Sequence, residues 1–67
     1  MRKASEYRDN ARACRALARR MGTEEQRRPL LEMAEQWEQL ASDRAHLIRL
    51  HPELAIEGEL DEEQLSN

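Results

Sequence analysis

Four arginines, Arg8, Arg12, Arg15 and Arg19, recur at i, i+4, i+7 and i+11. On a helix that spacing lines one flank with guanidinium groups. Such a stripe is a candidate anion or partner surface, able to neutralise phosphates or to hold an acidic protein surface. Facing it in an antiparallel hairpin would be Glu32, Glu35 and Glu38. A solvated, mutually paired charge face is therefore the simpler expectation, with Glu32 and Glu35 opposite Arg12 and Arg8. The other reactive groups are few. Cys14 is the single cysteine, so no disulfide forms within one chain. Its place among small apolar residues fits a buried thiol, and an exposed sulfur would have Arg12 and Arg15 nearby to lower its pKa. His46 and His51 are five residues apart and do not share a helix face as i, i+4 ligands would, so no metal site and no cofactor are expected. No nucleophile with its base, no Gly-rich phosphate loop and no carboxylate pair in a cleft is apparent. The expectation is a non-enzyme with no small-molecule substrate.

The elements that would position these groups are helices. The 67 residues are rich in Ala, Leu, Glu, Arg and Gln and contain no Phe, a composition that favours helix over strand. Tyr7, Ala11, Cys14 and Ala18 alternate in steps of three and four between Ala4 and Met21, which predicts a first helix over about 4–21. Gly22 is the expected left-handed C-cap and Thr23 the next N-cap, with Thr23-Glu24-Glu25-Gln26 matching a capping box. A second helix is predicted over about 24–50. Its inner face carries Leu30, Met33, Ala34, Trp37, Leu40, Ala41, Ala45 and Ile48. Pro29 removes one hydrogen bond and crowds the carbonyl of Glu25, so a bend is expected near it. Pro52 ends the helix near His51.

Residues 52–67 carry six acids and no base, with Gly58 among them, and read as an acidic, disordered tail with a short helical turn around 61–65. Charge is thus segregated. Residues 1–21 sum to +5, residues 22–50 to −2 and residues 51–67 to −6. The tail is a candidate cover for the arginine stripe in cis.

The fold class is all-α: an antiparallel two-helix hairpin over 1–51. A short turn pairs residues whose numbers sum to about 45, which brings Tyr7 to Trp37 and Cys14 to Leu30 and Leu31. At about 1.5 Å per residue the second helix outruns the first by roughly two turns. That overhang holds Ala45, Leu47, Ile48 and Leu50. A chain this short has a marginal core without added support, so a homodimer forming a four-helix bundle, or a larger protein partner, is expected. Self-association would run through Leu30, Trp37, Leu40 and Ile48. The alternative is a small regulatory nucleic-acid-binding protein using the arginine stripe, opposed by the acidic total and by the lack of aromatics among the arginines. No stretch of apolar residues is long enough to span a bilayer and no secretory signal is apparent at the N-terminus, so a cytoplasmic location with no membrane partner is expected.

Tyr7-Arg8, Ala11, Cys14 and Ala18, followed by Leu30-Leu31-Glu32-Met33-Ala34-Glu35-Gln36-Trp37-Glu38-Gln39-Leu40-Ala41, resemble the small helical-hairpin proteins of alphaproteobacteria. Their pattern is Y-R-x-x-A-x-x-C, then L-L-x-M-A-x-x-W-x-x-L-A. The resemblance covers residues 5–41 and implies a two-helix hairpin. It implies no activity and no catalytic residue. Pro29 departs from the pattern, because that group enters its second helix more smoothly.

Overall fold

A computed structural model describes residues 3–61. Two long helices, α1 (Ala4–Arg20) and α2 (Glu24–Leu50), pack on each other as an antiparallel hairpin, and there is no strand among the described residues. The bounds of α2 match the periodicity, and α1 stops one residue earlier than expected.

The reason for the early stop is local. Met21 takes an extended conformation (φ −78°, ψ 142°) and donates its N–H to the Ala18 carbonyl at 3.1 Å. Gly22 does not adopt positive φ, so the expected left-handed cap is absent there, and Gly58 is the one described glycine that does (φ 81°). The extended Met21 carries the chain out of the helix directly. Its carbonyl accepts from Arg27 Nε at 3.0 Å, which ties the turn to the start of α2. Thr23 caps α2 as expected, its Oγ1 accepting from the Gln26 N–H at 3.2 Å. Glu24 and Glu25 add negative charge at the positive end of the helix dipole. Pro29 lies inside α2, which continues unbroken through it. A proline five residues past the first helical position costs one hydrogen bond, which 27 residues of packed helix absorb.

The seam is built of alanine. Ala4, Ala11 and Ala18 of α1 and Ala34, Ala41 and Ala45 of α2 are buried, joined by Ile48. Small side chains let the two backbones approach closely, at the expense of apolar area. The register follows the short turn. Ala4, Ala41 and Ala45 share one cluster with Tyr7 packed against it, and Tyr7 stacks on Trp37.

Two expectations about the far end change. Of the overhang, Ala45 and Ile48 are buried in the single chain and Leu47 is half-buried, and only Leu50 is exposed. Ile48 is 0 % exposed, so it is a core residue and not a contact for a second copy. The start of the tail is ordered and returns over this end of α2, where a disordered segment is expected from residue 52 onward. After α2 the His51 N–H donates to Leu47, a 3-10 turn forms at Pro52–Leu54 and packs on α2, and the chain turns at Gly58 into helical geometry at 59–61. Positive φ at Gly58 is a conformation that costs a residue with a Cβ on the order of 1 kcal/mol or more. The remainder of the tail, and with it most of the helical turn expected around 61–65, lies outside the described residues.

Candidate interaction surface

The seam divides the hairpin into two flanks. On one, α1 contributes Tyr7, Cys14, Leu17 and Met21, and α2 contributes Leu30, Met33, Trp37 and Leu40, each set at helical spacing. Tyr7 and Trp37 stack with ring centroids 5.9 Å apart and planes 22° from parallel. That stack sits about one turn from the start of α1 and leaves both rings half-buried. Around it the flank is open. Met33 and Leu40 are each 45 % exposed, Leu17 is exposed too, and Cys14, Met21 and Leu30 are half-buried. Met33 and Leu40 are therefore not core residues of the single chain. A shallow depression of about 140 Å³ opens between Met33, Gln36, Trp37 and Leu40.

The other flank is charged and largely self-satisfied. Arg15 Nη1 donates to Glu38 Oε1 at 2.6 Å, and that bond raises the Arg15 pKa and lowers the Glu38 carboxyl below its ordinary value. The pairing partner of Glu38 is thus Arg15, and neither Arg12 nor Arg8 takes that place. Arg12 turns to Asp9 within its own helix, Arg8 is half-buried and partnered, and Arg19 is exposed. Arg15 and Arg19 reach a groove of about 390 Å³ shared with Arg27, over a floor of Ala18 and Leu31. So the stripe exists as a geometric feature, but at least three of its four arginines already hold partners.

The tightest polar cluster was not foreseen from the sequence. Arg44 Nε donates to Glu59 Oε2 at 2.8 Å and Arg44 Nη2 to Oε1 at 2.8 Å, a two-pronged pair whose side chains are 4 % and 0 % exposed. Arg44 Nη2 also donates to the Leu54 carbonyl at 3.0 Å, and Glu59 Oε1 accepts from the Ile56 N–H at 3.0 Å. The start of α1, where Lys3 supplies no side-chain cap, also faces Glu59, and the Ala4 backbone adds a weaker favourable influence on its carboxylate. The Arg44 hydrogen bonds hold the Glu59 carboxyl below its ordinary value against the opposing effect of burial, and the same bonds raise Arg44. One acid thereby joins α1, α2 and the tail. The sequence did carry a signal: Arg44 follows Met33, Trp37 and Leu40 at i+11, a charge set in an apolar row.

Among the described residues no group of three or more His, Cys, Asp or Glu side chains is placed to hold a metal ion. His46 is exposed and His51 Nδ1 lies 3.2 Å from Glu53 Oε1, so the two histidines are apart in use as well as in spacing. No described helix is long and apolar enough to cross a membrane. Compared with protein families, curated proteins and solved structures, the chain matches none.

Proposed function

We propose that this protein is a non-catalytic interaction module that associates with a second copy of itself through the flank formed by Leu17, Leu30, Met33, Trp37 and Leu40, with Cys14 beneath it. One observation carries the reading: exposed large apolar side chains from both helices lie on the same flank, around a half-buried aromatic stack, while the opposite flank is paired charge. A grouped apolar patch marks an association site where scattered apolar residues do not. The small alanine seam supports the same conclusion, since little of the apolar area of the chain is used inside it.

A second copy is the occupant that the charge pattern favours. A two-fold axis along the hairpin lays α1 of one copy over α2 of the other, so that every neighbouring pair in the resulting four-helix bundle is antiparallel. It also sets the +5 segment of residues 1–21 against the −2 segment of residues 22–50. Closed two-fold pairing buries the flank of both copies at once and leaves no apolar face to propagate. The overhang plays no part in this reading, because the tail already covers it.

Solution mass across a concentration series, with helicity followed on the same samples, tests the proposal. The expected result is a dimer that Leu40→Glu converts to a helical monomer. A wild-type chain that stays a monomer at high concentration refutes it. The arginine stripe as a nucleic-acid surface is the competing outcome, read as retention on DNA that falls steeply with salt.

A further inference from the structure

We infer that residues 52–61 form a strap, latched by Glu59 on Arg44, that covers in cis the end of α2 and so sets how much of that helix a second copy reaches. This rests on the self-association reading above. The strap is held unusually for a packed segment. Its large apolar side chains, Leu54, Ile56 and Leu60, remain exposed, and the one strap side chain that is fully buried is the carboxylate of Glu59. The polar latch is therefore the one fully buried attachment that the strap itself supplies. A segment with few buried apolar contacts belongs to the low-stability end of a protein and opens before the rest.

What the strap covers continues what the hairpin leaves open. Arg44 stands in the same row as Met33, Trp37 and Leu40; Ala45 closes the seam against Ala4, and Ile48 lies one turn further on, where α2 runs past the start of α1. Under the two-fold arrangement both straps fall at the same end of the bundle, where each keeps the final turn of α2 from the other copy. Opening the latch at Glu59 uncovers Ile48 and extends the shared core by about one turn per copy. Gly58 is the turning point of this return path, its backbone in a conformation suited to glycine and its α-carbon side facing Lys3 Nζ.

The test uses the full chain and two variants, with amide hydrogen exchange read alongside the dimer dissociation constant. Glu59→Ala removes the acceptor shared by Arg44 and Ile56. It is expected to speed exchange at residues 45–50 by tenfold or more beyond any change at residues 11–18 and 30–38, and to tighten dimerisation about tenfold. The double variant Arg44→Met with Glu59→Leu replaces the latch by an apolar contact, keeps the strap closed and is expected to match wild type in both readouts. Uniformly faster exchange in Glu59→Ala overturns the strap, since the tail would then be one cooperative unit with the hairpin. Local opening with an unchanged dissociation constant overturns its control of association while leaving the dimer intact. A chain that is monomeric in wild type and variant alike overturns the self-association reading itself, and exchange still reports whether the latch opens.

Discussion

Replacing Arg44 by methionine is the most informative single perturbation of the fold. Arg44→Met leaves the Glu59 carboxylate buried with the backbone N–H of Ile56 as its remaining hydrogen-bond donor. Removing one member of a buried pair costs about 3–5 kcal/mol, chiefly because the remaining charge is stranded without its partner. A chain of 67 residues has a total stability of about 3–10 kcal/mol by the usual per-residue range, so this one change removes a large share of it. With a urea m-value of about 1 kcal/mol/M, the midpoint should fall by about 3 M or more. Glu59→Gln keeps the shape and loses the charge, and should cost less. Arg44→Met with Glu59→Leu removes both charges; hydrogen bonds lost at Leu54 and Ile56 partly offset the gain from avoided desolvation, and the double variant should lie within about 2 kcal/mol of wild type. Acidity supplies an independent arm. Because the folded Glu59 carboxyl titrates below its unfolded value of 4.5, its contribution is fully present above that value and is lost as pH falls through the folded one. Arg44 is raised above its ordinary value, so its contribution persists throughout the acid range. Exposed Glu38 is lowered as well and adds to the acid slope, which makes the difference between wild type and Glu59→Gln the quantity to measure. Urea melts by circular dichroism at pH 7 and at steps down to pH 3 provide it. An Arg44→Met cost under about 1 kcal/mol, or identical acid slopes for wild type and Glu59→Gln, would refute the reasoning.

Further outcomes follow from other parts of the hairpin. Trp37→Ala removes the ring stacked on Tyr7 and should cost about 2 kcal/mol in the melt, less than a fully buried aromatic because part of the side chain is already in water. Thr23→Ala removes the acceptor of the Gln26 N–H and should cost about 1 kcal/mol, whereas Thr23→Ser should be nearly neutral. The two glycines should behave oppositely: Gly22→Ala, with negative φ and open space around it, should be neutral or stabilise by about 0.5 kcal/mol, while Gly58→Ala should destabilise by about 1 kcal/mol or more. Equal effects at the two positions would contradict the backbone assignment.

What could be read along the chain is what local chemistry controls. Helix α2 starts and stops where Thr23 and the residue before Pro52 require, the apolar steps of three and four set the buried face, and a short turn fixes the register that brings Tyr7 to Trp37. Each of these depends on residues within a few positions of one another, or on a loop too short to allow alternatives. Gly22 does not form the expected cap, because glycine permits a left-handed residue without requiring one and Met21 already leaves the helix in an extended conformation. The periodicity of α2 says that the face bearing Ile48 is apolar but not what covers it. The Arg44–Glu59 latch and its bonds to Leu54 and Ile56 require the tail to return across the hairpin. An acidic segment has no periodicity that announces such a path; a buried carboxylate becomes favourable only once a guanidinium and a backbone donor converge on it in three dimensions, and that convergence is a property of the tertiary structure alone.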